Sequence, residues 1–464
     1  MRSPEVRRST IPIVTRPNLE KLRAPVDGAS LGVFRAGFGL MMLVSVVRFW
    51  SKGWIDEMYI QPALFFPYWG FEWVEPWSAE GMYLHFAILG ALATLIMIGL
   101  WTRPALLLFF FGFTYVELID RTTYLNHYYL ISVVSLLMVF LPVERSFSLS
   151  RALGRTTGPE TVPRWSVYTL RMQVGLVYVT AGLAKLRADW LFRAEPLRTW
   201  LSWNADIPVV GPLLAEPWVG FAMSWAGAFF DLFIVAFLLW RPTRVYAFVA
   251  VVVFHALTGA LFPIGVFPLV MALSATIFFE PDWPRRLIGP PSAVGQTPPP
   301  ALAPLGRWQK LGFALLTAHF VFQVAFPWRQ LLYPGNACWT EQGFRLSWHV
   351  MLIEKTGQVD FRIVDEPSGK TWLVFPRERL SAFQHRMMST QPDMILSFAH
   401  HLRDEWKAEG YPNVAVYADA WASLNGRRRQ RLVDPAVDLA REEESWANKT
   451  WIVPLEDTVE ARRE

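Results

Sequence analysis

The sequence predicts a polytopic α-helical membrane protein, of eight or nine transmembrane helices, with a C-terminal extracytoplasmic α+β domain rich in strands. Three observations predict it. Of 464 residues, 53% are hydrophobic and 18% charged, where a soluble chain carries about 25% charge. Apolar runs that approach the thickness of a bilayer recur through the first 327 residues. After Trp328 the pattern shortens to alternating apolar and polar residues, as half-buried strands require.

Residues 1–29 form a basic tail (Arg2, Arg7, Arg8, Arg16, Lys21, Arg23) with no short apolar core and cleavage site, so the first apolar run is expected to act as an uncleaved signal. The runs follow near 30–50, 82–101, 104–119, 127–142, 165–185, 220–240, 243–262, 264–279 and 308–326, and residues 30–327 read as one transmembrane domain. Arg103, the loop 143–164, Arg241 with Arg244, and the stretch 281–310 hold most of the loop cations, which by the positive-inside rule face the cytoplasm. The loops 51–81, 120–126 and 186–219, and everything after residue 327, then lie outside. Two outer loops, 59–77 and 190–203, mix aromatics with prolines and charges, which suits interface-lying or re-entrant segments roofing a cavity. Residues 287–306, dense in Pro and Ala, read as a linker.

The outer domain, 328–464, reads as strands at Phe344–Val350, Val359–Val364 and Thr371–Phe375, then a helix at Asp393–Trp406 with one apolar face. Val414–Leu424 and Arg429–Val433 flank Asn425-Gly426, a strong hairpin signal. Arg427 to Arg429 is expected at the solvated tip of that hairpin.

Composition excludes several functions. The single cysteine, Cys338, rules out an internal disulfide and any cysteine-built metal cage. A net charge of +5 spread over membrane loops gives no reason to expect nucleic acid. There is no P-loop, no G-x-G-x-x-G, no G-x-S-x-G and no H-E-x-x-H; adjacent His400 and His401 point to different faces of their helix. Arg35, Glu117, Arg171, Asp231 and His255 lie within apolar runs, where each needs an interior partner; the bland reading pairs Arg35 or Arg171 with Asp231 or Glu117. Lys185 ends the fifth run and has its own bland reading, an ammonium that snorkels to the headgroups. The topology puts His127 at the same outer depth, so the two form a candidate proton-transfer site.

TTYLNHYYL at 122–130, LRMQVGLVYVTAGLAKLRADW at 170–190, FHALTGALFPIGVFPLVM at 254–271, WTEQGFRLSWHVML at 339–352 and YADAWASLNGRRRQRLVDPAVD at 417–438 resemble, in collinear order, the vitamin K-dependent γ-glutamyl carboxylases. That resemblance implies an enzyme that oxygenates a reduced naphthoquinone to its epoxide and uses the strong base formed to abstract a glutamate γ-proton for CO2 addition. The cofactor would be reduced vitamin K or menaquinol, with O2 and CO2 as co-substrates and no metal; the partners would be a glutamate-containing peptide or protein and the lipid bilayer. The family's catalytic lysine falls on Lys185 and its assisting histidine on His127, with Asn126, His255 and Tyr178 as cofactor-binding candidates. Trp339, Phe344, Arg345 and Trp348 become candidates for substrate binding.

Two departures stand out. Ala184-Lys185 replaces a pair of lysines, and Phe344-Arg345-Leu346-Ser347-Trp348 replaces Tyr-Gly-Tyr-Ser-Trp. The chain's proportions and lack of disulfides imply a bacterial inner (plasma) membrane, with menaquinol as natural cofactor, a cytoplasmic N-terminus and an extracytoplasmic C-terminal domain. The alternatives are a quinol epoxidase or monooxygenase without peptide carboxylation, and a non-catalytic membrane binding protein.

Overall fold

The computed structural model describes residues 17–288 and 305–457. The first sixteen residues of the basic tail and positions 289–304 of the Pro/Ala stretch lie outside the described residues. In chain order the bundle consists of α1 (Ala29–Ser51), α2 (Ala79–Ile98), α3 (Thr102–Ile119), α4 (Asn126–Phe140), α5 (Arg164–Ala184), α6 (Pro217–Leu239), α7 (Arg244–Leu261), α8 (Phe267–Ala275) and α9 (Arg307–Ala325). By length and composition six can cross a membrane among the described residues: α1, α2, α3, α6, α7, and α9 with the 3-10 segment that extends it to Leu332. α4 and α8 are shorter apolar helices. The end of the expected tail is ordered, with a helix at Pro17–Arg23 and a strand, β1 (Pro25–Asp27), paired with β2 (Thr161–Pro163).

Close helix contact needs a missing side chain at two places. At Gly39 of α1 a Cβ would stand 2.6 Å from the Met97 Cα and 2.7 Å from the Ala93 carbonyl oxygen of α2. At Gly182 of α5 it would stand 2.7 Å from the Leu232 nitrogen of α6. Small residues at such crossings let two backbones touch, which is how helices gain packing energy where lipid removes the hydrophobic drive.

The expected pairing of buried arginines with buried acids is corrected. Arg35 donates to the Ile96 and Met97 carbonyls at 2.5 and 2.9 Å and to Phe147 O at 2.5 Å. Arg171 donates to Ile277 O and Phe279 O at 2.9 and 2.7 Å. Both guanidiniums cap helix ends, where orphan carbonyls and the negative end of the helix dipole meet a cation without needing an acid.

Past α9 the chain builds a four-stranded antiparallel sheet in the order β4-β3-β5-β6, from β3 (Lys355–Asp365), β4 (Thr371–Val374), β5 (Val414–Leu424) and β6 (Gln430–Arg431). β3 and β5 pair over eleven residues each, from Lys355↔Leu424 to Asp365↔Val414. After α10 (Ala382–Met388), α11 (Pro392–Ala408) lays Ile395, Phe398, Ala399, Leu402 and Trp406 into the core that it shares with the sheet. Asn425 and Gly426, at φ 50° and 74°, make the tight turn that the sequence pattern calls for.

Two sequence expectations fail here. Phe344–Val350 is no strand: Leu346, Trp348 and Met351 sit at φ 60°, 55° and 59°, a left-handed backbone that a ladder cannot accept. Arg427 is not at a solvated tip. It is 7% exposed and grips Asp189, just beyond α5, at 2.7 and 2.9 Å. The hairpin tip therefore docks on the segment that follows Lys185, while Arg429 is bonded at an exposed site, to Gln358.

Candidate functional site

Lys185 closes the last turn of α5, and Gly182, three residues earlier on the same face, brings α6 against it. The result is a buried ion pair: Lys185 Nζ lies 2.7 Å from Asp231 Oδ2, with the residues 4% and 6% exposed. The amine also reaches Val350 O at 3.4 Å and lies 5.1 Å from the Trp190 ring. α6 runs on beyond that level by about 20 Å, at 1.5 Å per residue from Asp231 back to Pro217. Its outer half is clad by Trp190, whose indole donates to Ser224 O at 2.7 Å. Lys185 is thus under cover and does not snorkel.

Tyr178, seven residues before Lys185 and on the same face, bonds His255 Nε2 of α7 at 2.8 Å. His255 Nδ1 is buried with no partner among the described residues. Tyr178, Lys185, Asp231 and His255 line one small cavity of about 60 Å³, walled by Phe254, Phe262, Phe267, Trp190 and the loop residues Val350 and Met351.

His127 and Asn126 enter differently. His127, at the start of α4, is buried, and its ring packs 5.7 Å from Phe267, whose other neighbour at 5.7 Å is His255. Phe267 therefore links the two imidazoles, and His127 is not among the residues lining the Lys185 cavity. Asn126 donates to His349 O at 3.0 Å and accepts from the Tyr124 hydroxyl at 3.0 Å. Asn126 and Lys185 thus hold successive carbonyls, those of His349 and Val350, of one loop.

The four substrate candidates divide. Phe344 and Arg345 line a second cavity of about 650 Å³, where Arg345 pairs with Asp393 at 2.5 Å. Trp348 is 1% exposed and packs, rings tilted, 4.9 Å from Tyr129; Trp339 is fully buried, its indole donating to Val453 O at 2.7 Å.

Sequence reasoning missed two participants. Asp231 was visible as a lone acid in an apolar run, but helix counting puts it deep in α6 while Lys185 ends α5; only the overrun of α6 brings them level. His349 gave no signal alone. Its Nε2 lies 3.4 Å from Arg187, which also bonds Gln330 at 2.7 Å and the Cys338 sulfur at 3.1 Å. Burial, and then the charges of Arg187, Arg329 and Lys185, pushes His349 down to about 3.

Fold and site together define a multi-pass membrane protein whose helical bundle encloses a buried lysine–aspartate pair and carries a sheet-and-helix domain docked over it. Residues 23–283 match the family described as the HTTM domain, and residues 308–458 match the one described as the vitamin K-dependent gamma-carboxylase, lumenal domain. The chain belongs to the vitamin K-dependent γ-carboxylase family. No solved structure matches it. Membership makes the C-terminal domain extracytoplasmic, implies reduced vitamin K as cofactor, and ties the family to glutamate-containing substrates.

Proposed function

We propose that the chain is a quinol-dependent γ-glutamyl carboxylase of a bacterial plasma membrane, with Lys185 as the base that serves the quinol. The observation that carries this reading is the buried Lys185–Asp231 pair in the wall of an aromatic cavity, in a chain that matches both parts of the family. Nine spans, with a cytoplasmic N-terminus, follow when α4, α5 and α8 are counted with the six long helices. Menaquinol is the natural cofactor in such a membrane.

The donor set fits a hydroquinone. An amine, a carboxylate, a hydroxyl and an imidazole with a spare buried nitrogen converge between aromatic rings. At about 60 Å³ the cavity is smaller than a bicyclic ring, so admission requires displacement of the Val350–Met351 loop that closes it. With O2, a bound naphthoquinol supplies a base strong enough for a glutamate γ-hydrogen, beyond the reach of side chains in the range of about 4 to 13. Lys185 holds or releases a proton at Nζ, and Asp231 Oδ2, 2.7 Å away, is the group that takes it up. Tyr178 and His255 orient a hydroxyl on the opposite side. His127 sets the tilt of Phe267, and Asn126, with both ends of its amide engaged, positions the loop. The outer domain and the aromatic wall exclude water. Phe344 and Arg345 are the contacts we assign to the glutamate-containing peptide.

The test is to supply the purified protein with reduced vitamin K or menaquinol, O2, labelled bicarbonate and a glutamate-rich peptide. Epoxide and labelled γ-carboxyglutamate are expected together, and both should vanish in Lys185→Ala. Normal turnover in that variant ends the assignment of the base. Epoxide without carboxylated peptide would establish the quinol epoxidase instead.

A further inference from the structure

The 650 Å³ cavity is separate from the Lys185 cavity and shares with the machinery just described only Phe344 and Arg345, at its roof. α4 meets it with Tyr129, Ser132, Val133 and Leu136, one helical stripe, and turns the opposite stripe, with His127, Ile131 and Val134, into the bundle core. α3 contributes Phe110, Thr114, Glu117 and Leu118, and α9 with its 3-10 extension contributes His319, Phe322, Gln323 and Phe326, each again at helical spacing. The three stripes form a slot about 10 Å long, from the rise of α4 between Tyr129 and Leu136.

Polar groups in the slot mostly satisfy one another. Thr114 bonds Ser132 at 3.3 Å, Gln323 bonds the Tyr129 hydroxyl at 2.6 Å, and His319 bonds Gln173 at 3.0 Å. What remains toward the slot is methyl groups, ring faces and the Glu117 carboxyl, which lies down in the slot on α3, away from the roof. The roof is different in kind. Arg121 and Arg345 are neutralised by Asp393 and Glu444. Arg329 has only neutral partners, the Phe326 and Arg345 carbonyls and Ser347 Oγ, and stacks 3.8 Å over the Phe326 ring. Lys449 has only the Glu443 carbonyl, at 3.0 Å. Among the described residues neither cation has a carboxylate within ion-pair reach. Half-exposed Trp69 and Trp446, 6.3 Å apart at the rim, are the residue type that marks a membrane interface.

We infer that this slot binds one anionic phospholipid of the outer leaflet, its acyl chain between α3, α4 and α9 and its phosphate between Arg329 and Lys449. The volume falls in the range of single-ligand pockets, about 300–1,000 Å³. The apolar depth excludes a free phosphate, and two cations with no ion-pair partner discriminate against a zwitterionic head. Arg329 also binds the loop that runs on to His349 and Val350, so the lipid braces the segment that closes the Lys185 cavity.

The protein in a delipidating detergent, with dioleoyl phosphatidylglycerol and dioleoyl phosphatidylcholine added in equal amounts, is examined by native mass spectrometry. One phosphatidylglycerol should be retained, about tenfold or more over phosphatidylcholine. Leu136→Trp fills the slot without touching the roof and should lose that adduct while its melting temperature in detergent is unchanged. Arg329→Gln with Lys449→Gln should keep a lipid but retain the two kinds equally. No retained lipid, equal retention by the wild type, an adduct that survives Leu136→Trp, or displacement by added menaquinol each overturns the inference. None of these readings depends on carboxylase turnover.

Discussion

Removing the Asp231 carboxylate by Asp231→Ala tests whether the Lys185 pair is the keystone of this site. The ammonium would keep only Val350 O at 3.4 Å and the Trp190 ring at 5.1 Å. An orphaned buried charge costs about 3–5 kcal/mol. Asp231→Ala should therefore lose about 3–5 kcal/mol. Lys185→Met leaves the carboxylate unpaired and should lose a similar amount. Asp231→Leu with Lys185→Met removes both charges and should recover most of the loss. Tryptophan fluorescence followed through SDS titration in one mixed micelle gives the three differences and a coupling energy. If the single changes are silent, or the double change costs their sum, the pair does not hold the bundle and the reasoning fails.

Three further outcomes are expected. The His349 value of about 3 is depressed below about 6.5, so its contribution is complete above pH 6.5 and is lost as pH falls toward 3; the full difference is about 4–5 kcal/mol, and His349→Gln should flatten the melting-against-pH curve there relative to wild type. Arg427→Ala, which leaves Asp189 only Arg193 and Asn425, should cost about 1.5–3 kcal/mol and speed proteolysis of the outer domain. Gly182→Ala presses a methyl into the Leu232 nitrogen of α6 and should cost about 1–3 kcal/mol in the same titration, with Asp231 pushed from Lys185.

Where a residue's partner lies close in sequence or on its own element, the chain could be read directly. β5 and the turn at Asn425-Gly426, the apolar face of α11, and the run ending in Lys185 all announce themselves by period or turn chemistry. Reading failed where two distant segments meet. Phe344–Val350 alternates like a strand because its large side chains point different ways, Trp348 to Tyr129 of the bundle and Phe344 back onto His349 of the loop itself, and a left-handed backbone meets that demand as well as a strand would. Arg427 looked solvated because Asp189, its partner, lies 238 residues away. Arg35 and Arg171 looked in need of acids because a sequence shows charges plainly but does not show which helix ends leave carbonyls free.

The loop from Leu346 to Met351 holds the tension between these two bodies. Non-glycine residues in the left-handed region cost about 1–2 kcal/mol each, and Leu346, Trp348 and Met351 all adopt it. Side chains of the bundle and of its extension hold that shape: Tyr124 accepts from Leu346 N, Arg329 binds Ser347 and the Arg345 carbonyl, Asn126 binds His349 O, and Lys185 binds Val350 O. The loop that shuts the Lys185 cavity is therefore held in a costly conformation by bonds that include one from Lys185 itself. Any ligand that engages the amine competes with Val350 O and weakens one of those bonds. Entry to the cavity and use of its lysine are thus coupled through a single carbonyl, on a loop of the outer domain, a domain that is also pinned at Asp189, four residues beyond that lysine.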